Sequence, residues 1–228
     1  MIGLTAPQMQ YEAKVAYEAI ASADAPGYTS KQWSMLLTQA QENIVLDNLR
    51  IGFDFDELRR RVIESLISHK EYNSDNIESE AIIGEHAYRI ELEENYMHVV
   101  KDTANSTVKV RPVSYDFYHA NINNPFESPY EKEYWRLVGN KAVIIITDGS
   151  NLEEYSIVYL RRPTPIITKE GVEVENVTGI QDCELDHTIH RQIVNEAAKL
   201  AHAYTNNQAG YQIQSMESNR SRFGPQQE

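Results

Sequence analysis

The chain has 228 residues, enough for one large domain, or one domain with arms, around a sizeable core. Hydrophobic residues make up 41% and charged residues 24%, a globular composition; 34 acids against 21 basic residues leave a net charge of −13, which repels phosphate backbones and disfavours nucleic acid as the main ligand. No apolar run approaches the roughly 18 residues of a membrane span, and the single Cys183 excludes both an intramolecular disulfide and a cysteine-based zinc cage.

Residues 5 to 70 read as helical. A first helix is expected from about Pro7 to Ser22, with Pro7 in the first turn, where its missing N–H would be unbonded anyway. Ala13, Ala16, Tyr17 and Ile20 share one face of it, and Ala25-Pro26-Gly27 ends it. Ser30 is expected to cap a second helix, whose apolar stripe runs through Trp33, Leu36, Leu37, Ala40, Ile44 and, at its margin, Leu46. Asp54 with Glu57 makes a capping box for a third helix, on which Leu58, Val62 and Leu66 align beside Ile63 and Ile67. Its Arg59-Arg60-Arg61 run reads as a solvated face.

From about Tyr72 the pattern changes. Residues 73–80 read as a linker, followed by short alternating or β-branched runs separated by turn residues. Tyr96 to Lys101 and Thr107 to Val113 suggest a hairpin across a loop at 102–106; Tyr134 to Val138 and Lys141 to Thr147 suggest a tighter one across Gly139-Asn140. The run Val143-Ile144-Ile145-Ile146 is apolar on both faces, which predicts a strand covered on both sides. Tyr155 to Arg161 forms a further strand. Ser114 to Asn121 suits a short helix, followed by a stiff loop from Asn124 to Pro129. Arg161-Arg162-Pro163-Thr164-Pro165 ends the sheet, because proline cannot donate to a ladder. A loosely extended 166–181 leads to a last helix, capped by Asp186 or Thr188, with Ile189, Ile193, Ala197, Leu200 and Tyr204 on one side. From Thr205 the chain is rich in Asn, Gln, Ser and Gly, too poor in aliphatics to offset its own ordering entropy.

The expected fold is therefore α+β: N-terminal helices (1–72), a core with a small, mostly antiparallel sheet closed by a C-terminal helix (73–204), and a polar tail (205–228) that is disordered alone or ordered on a neighbour.

Chemistry is sparse. His187-Thr188-Ile189-His190 can place two imidazoles on one cation, but no third ligand is fixed by spacing. Exposed polar residues at a helix start account for it more simply, and no metal or cofactor is expected. Acid pairs such as Glu91/Glu93 and Glu153/Glu154 arise by chance among 34 acids. The sequence contains no nucleophile elbow, Walker loop or dinucleotide fingerprint. Cys183 has no basic neighbour to activate it. Asn124-Pro125-Phe126 matches an adaptor-binding tripeptide, and also suits a turn with an anchoring Phe. The fourteen tyrosines fit either protein interfaces or half-buried sheet positions. The start, Met1-Ile2-Gly3-Leu4-Thr5, shows no basic region ahead of an apolar run, so no signal peptide is expected.

Several segments over roughly residues 107–204 carry a resemblance. These are Val110-Arg111-Pro112-Val113-Ser114, Asn124-Pro125-Phe126-Glu127-Ser128-Pro129, Tyr134-Trp135-Arg136-Leu137, and Tyr159-Leu160-Arg161-Arg162-Pro163-Thr164-Pro165-Ile166. Cys183-Glu184-Leu185, followed after four residues by His190-Arg191-Gln192-Ile193-Val194, completes the set. Together they resemble the head-to-tail connector (ring or adaptor) proteins of short-tailed, crAss-like bacteriophages. Asp186 stands where that pattern often has Pro.

The resemblance implies a structural virion protein without catalytic residues. It would assemble with itself into a ring, twelve-fold by implication, between the portal protein and other tail or ring proteins. DNA would pass through without specific binding, and synthesis would occur in the host cytoplasm without membrane association. The rival readings are a metal-dependent hydrolase at His187/His190 and a monomeric host binding module.

The segments expected to bind partners are the first ten residues, the loop 123–131 and the tail. In the loop the anchors are Asn124, Pro125, Phe126 and Tyr130; in the tail, Tyr211, Ile213, Met216 and Phe223.

Overall fold

The computed structural model describes residues 3–20, 27–51, 61–80, 83, 86–121, 124, 126–127, 129–130, 132–139, 141–205, 212–213 and 215–216. The capping box at Asp54 and Glu57, the pair Arg59-Arg60, and Leu58 lie outside these residues. The chain forms two compact units: residues 1–66 with 163–228, and residues 67–162.

The first unit is helical. Helix α1 spans Ala6–Glu18, and a capping box between Thr5 and Gln8 closes its start. Helix α2 spans Ser30–Ile51. Its cap is Thr29 rather than Ser30: the Thr29 hydroxyl accepts from the Gln32 N–H at 3.3 Å, and the Gln32 side chain accepts from the Thr29 N–H at 2.8 Å. The C-terminal helix α4 spans His190–Tyr204 and packs on both. Asp186 caps the turn that leads into it, accepting from the Thr188 N–H at 2.8 Å. Tyr17, Tyr28, Trp33 and His202 stack edge-on or tilted at the meeting of the three helices, with ring centroids 4.7–6.0 Å apart. The Tyr28 hydroxyl donates to the Ala201 carbonyl at 2.7 Å.

The segment after Pro163, expected to be loosely extended, is pinned to α2. Ser34, Thr38 and Gln41 recur at i, i+4 and i+7, on one line of the helix, and all three are buried. Thr38 accepts from the Ile166 N–H, Ser34 from the Thr168 N–H, and Gln41 donates to the Thr164 carbonyl, at 3.0, 3.1 and 3.0 Å. A stripe of side chains thus supplies the partners that a neighbouring strand would give. Ile166 and Ile167 are fully buried as a result. Beyond them β9 (Glu173–Val174) and β10 (Val177–Thr178) form a small hairpin, and Ile167 pairs with Gln181.

The second unit is built on a sheet of eight strands, larger than the small one expected. They are β1 (Ile67–Asn73), β2 (Glu78–Ser79), β3 (Ala87–Glu91), β4 (Tyr96–Ala104), β5 (Val108–Pro112), β6 (Glu133–Val138), β7 (Ala142–Ile146) and β8 (Glu154–Arg161). Their order is β1-β8-β4-β5-β6-β7-β3-β2, and every pairing is antiparallel except β5 with β6. That exception follows from connectivity: β5 and β6 are joined through helix α3 (Tyr115–Asn121), a crossover long enough to restore strand direction.

β1 and β2 hold opposite edges of the sheet, yet only residues 74–77 lie between them in the chain. Five residue steps reach at most about 18 Å, whereas seven flat strand spacings need about 34 Å. The sheet must therefore curl to bring its edges together. One buried cluster joins residues of several strands, among them Tyr72, Ile90, Tyr134, Val143, Ile145, Tyr155 and Ile157. A second, with Trp135, Leu137, Ile144 and Ile146, packs under Tyr118 of α3. β7 thus divides its side chains between two cores, as an apolar run on both faces requires.

Two readings change here. The helix expected to carry Ile67 gives way at that residue to β1, where Ile67 is 38% exposed on an edge strand. The expected loop at 102–106 shortens to a turn at 105–107, with Asn105 and Ser106 at positive φ, so Asp102 belongs to β4.

Candidate assembly surfaces

After α3, the described residues Asn124, Phe126, Glu127 and Tyr130 display aromatic side chains beside a set of hydrogen bonds and an ion pair. Asn124 Oδ1 accepts from the Phe126 N–H at 3.1 Å, while Asn124 Nδ2 donates to Asn121 Oδ1 at 3.2 Å. Arg111 on β5 lies 3.7 Å from a Glu127 oxygen and 3.8 Å from one of Glu133, and its guanidinium sits 5.3 Å from the Phe117 ring centre. Tyr130 and Glu133 exchange backbone hydrogen bonds at 3.1 and 2.9 Å. On this support Phe126 is 93% exposed and Tyr130 54%. A Phe left in water forgoes about 1.5–3 kcal/mol of burial. Pro125 lies outside the described residues.

In the tail, residues 212–213 and 215–216 are helical, with Ile213 and Met216 exposed; Tyr211 and Phe223 lie outside the described residues. The tail's described anchors are thus unburied by their own chain, as are those of the loop.

The first ten residues behave differently. Leu4 N–H donates to His190 Nδ1 at 3.0 Å, and Ala6 N–H donates to Asp182 Oδ1 at 2.6 Å. Ala6 and Met9 are fully buried. This segment is fastened to its own chain, which the sequence did not reveal because the partners lie more than 170 residues away. What α1 leaves outside is Tyr11 and Val15, one turn apart, beside a shallow depression lined by Leu4, Pro7, Gln8, Tyr11 and Glu12.

His187 and His190 do not converge on a cation position. His190 is buried, its Nδ1 lone pair is taken by Leu4, and its Nε2 donates to the Leu185 carbonyl at 3.1 Å. Both ring nitrogens are spent on backbone, which leaves no lone pair for a metal in this arrangement. Cys183 is equally committed: its thiol donates to Gln41 Oε1 at 3.2 Å, and burial pushes its pKa up to about 12, far from a nucleophile's range.

The strongest buried electrostatics serve the sheet. Arg136 Nη1 on β6 donates to Asp102 Oδ2 on β4 at 2.6 Å, and the Tyr155 hydroxyl on β8 donates to the same oxygen at 2.9 Å. The pair spans β5, which lies between their strands. Burial raises the Asp102 pKa, while Arg136 and the Tyr155 hydrogen bond pull it back. Tyr155 is pushed up by burial and by Asp102 beside it. With the Arg136 and Asp102 side chains only 9% and 7% exposed, the arrangement braces the sheet.

The tyrosines divide between the two roles open to them. Tyr17, Tyr72, Tyr118, Tyr134, Tyr155 and Tyr159 are buried, whereas Tyr11, Tyr115, Tyr130 and Tyr204 are exposed. Tyr115, a tyrosine in a polar stretch, was one of those open to either role, whereas Tyr11 and Val15 carried no sequence signal as surface anchors, since helical spacing alone does not say which face a neighbour leaves uncovered.

Comparison with known proteins places these surfaces in context. A Ring protein 4/5 of Bacteroides phage crAss001 is 29% identical over 213 residues, covering 84% of this chain and 90% of that protein. A Ring protein 3 of the same phage is 24% identical over 189 residues, covering 74% and 82%. The family model described as phage tail ring protein 3/4 matches residues 4–212, a span that takes in the core of both units and the exposed loop. The chain, with its uncovered anchors and with His190 engaged by backbone, belongs to the phage tail ring protein 3/4 family.

Proposed function

We propose that this chain is a structural subunit of a ring in the head-to-tail connector or tail of a crAss-like virion. Copies of it close around the axis, twelve in number as the resemblance implies, joining portal to tail and surrounding the DNA passage. Its partners are other copies, the portal protein, and other tail or ring proteins. Its role is structural rather than catalytic. The observation that carries this reading is the family match over residues 4–212. Two further features support it. Exposed anchors at Phe126, Tyr130, Ile213 and Met216 suit repeated contact with neighbours. A net charge of −13 suits a passage to which DNA must not adhere, since like charges repel.

In this proposal the loop residues Asn124, Pro125, Phe126 and Tyr130 and the tail residues Tyr211, Ile213, Met216 and Phe223 bind neighbours, with 205–228 ordering on a partner's surface. Mass measurement of the purified chain, alone and with virion partners, tests the assembly. A closed multiple of the 26.1 kDa chain is expected; a persistent monomer that joins no particle overturns the reading.

A further inference from the structure

Resting on that ring reading, we infer that Phe126 is the anchor by which one copy holds the next, and that the surface receiving it belongs to a second copy of this chain. A ring repeats one contact between identical chains, using a different patch on each side, so each copy must carry a patch that it does not satisfy itself. Phe126 is the most exposed large apolar side chain among the described residues, at 93%. Its backbone is held on both sides: Asn124 Oδ1 accepts from the Phe126 N–H, Glu127 N–H donates to the Asn124 carbonyl at 3.1 Å, and Arg111 on β5 lies 3.7 Å from a Glu127 oxygen. A side chain on a backbone held by such hydrogen bonds loses less freedom on docking, which favours an anchor.

Charge points to another copy as the occupant. Each chain carries −13, so two copies repel wherever unpaired carboxylates meet. Among the described residues near Phe126, the carboxylates of Glu127 and Glu133 are faced by Arg111 of their own chain. This patch therefore approaches an equally acidic surface at a smaller electrostatic penalty, and its tip is apolar. A partner of opposite charge would instead be met by free carboxylates.

The test compares the full-length chain with Phe126→Ala and Phe126→Leu, measuring mass distribution across concentration and unfolding in parallel. Phe126 is almost fully solvated, so both variants are expected to unfold like the parent chain. Phe126→Ala should weaken self-association at least about thirtyfold, the scale of an interface hot spot, and Phe126→Leu should restore most of it. A parent chain that forms rings beside an equally competent Phe126→Ala overturns this inference and leaves the ring reading standing. A parent chain that stays monomeric and joins no particle overturns both. A cross-linker placed at position 126 and activated in assembled particles gives a second readout. A product of twice the chain mass agrees with the inference, and a product with a different virion protein contradicts it.

Discussion

His190 shows how one side chain can settle two questions. Both of its nitrogens serve backbone groups, Leu4 N–H and the Leu185 carbonyl, so the residue fastens the N-terminal segment and cannot ligate a metal. His190→Ala leaves the Leu4 N–H without that acceptor and is expected to cost about 1–3 kcal/mol, read by chemical denaturation, with amide exchange at Leu4 rising most. Metal analysis of the purified protein should find no stoichiometric zinc; zinc lost on the same substitution would contradict the assignment. Asp102 and Arg136 form a comparable case in the sheet, with side chains only 7% and 9% exposed. Asp102→Ala strands a buried guanidinium and is expected to destabilise by about 3–5 kcal/mol, whereas replacing both partners by apolar residues should cost much less. Neither pairing was legible in the sequence. Arg136 stood among sheet residues and Asp102 in an expected loop, and only tertiary structure brings the two strands within reach of each other.

Elements with a strong local pattern were legible; those held by distant partners were not. The run Val143-Ile144-Ile145-Ile146 predicted a strand covered on both faces, and β7 is one, with Ile145 in one cluster and Ile144 in the other. Truncating either to Ala should therefore cost about 2–5 kcal/mol in thermal or denaturant unfolding. The helix at Ser114–Asn121 and the final helix behind Asp186 were readable for the same reason, periodicity and capping being local. β1 was not, because its sequence continues a helical pattern and becomes a strand only by pairing with β8. The segment 164–168 was equally hidden, since its partners are the polar stripe Ser34, Thr38 and Gln41 inside an otherwise apolar helix. On α4, burial lowers the pKa of His202 against Tyr17. A folded-state pKa below the unfolded value means that the unfolded chain takes up the proton first. The contribution is fully present above about pH 6.5 and is lost as pH falls through the lowered value. Unfolding followed from pH 7.5 to 5.5 should show the helical unit weakening, and less so in His202→Gln.

At the scale of the whole molecule, no apolar run approached the length of a membrane span, net charge disfavoured nucleic acid as the main ligand, and five sequence segments carried a resemblance that the family match supports over residues 4–212. The two-unit division was less visible, because the helical unit is assembled from both ends of the chain around an inserted sheet. The tail extends the account beyond the fold. Deleting 205–228 should leave unfolding unchanged and weaken assembly, and cleavage after Arg220 and Arg222 should be fast in the free chain and suppressed in the particle. The decisive measurement is electron cryomicroscopy of virions purified from cells that produce this chain. A closed ring of identical copies on the head-to-tail axis, enclosing the DNA passage, is the expected result. Virions without the chain, or with copies that do not close a ring around that axis, would contradict it.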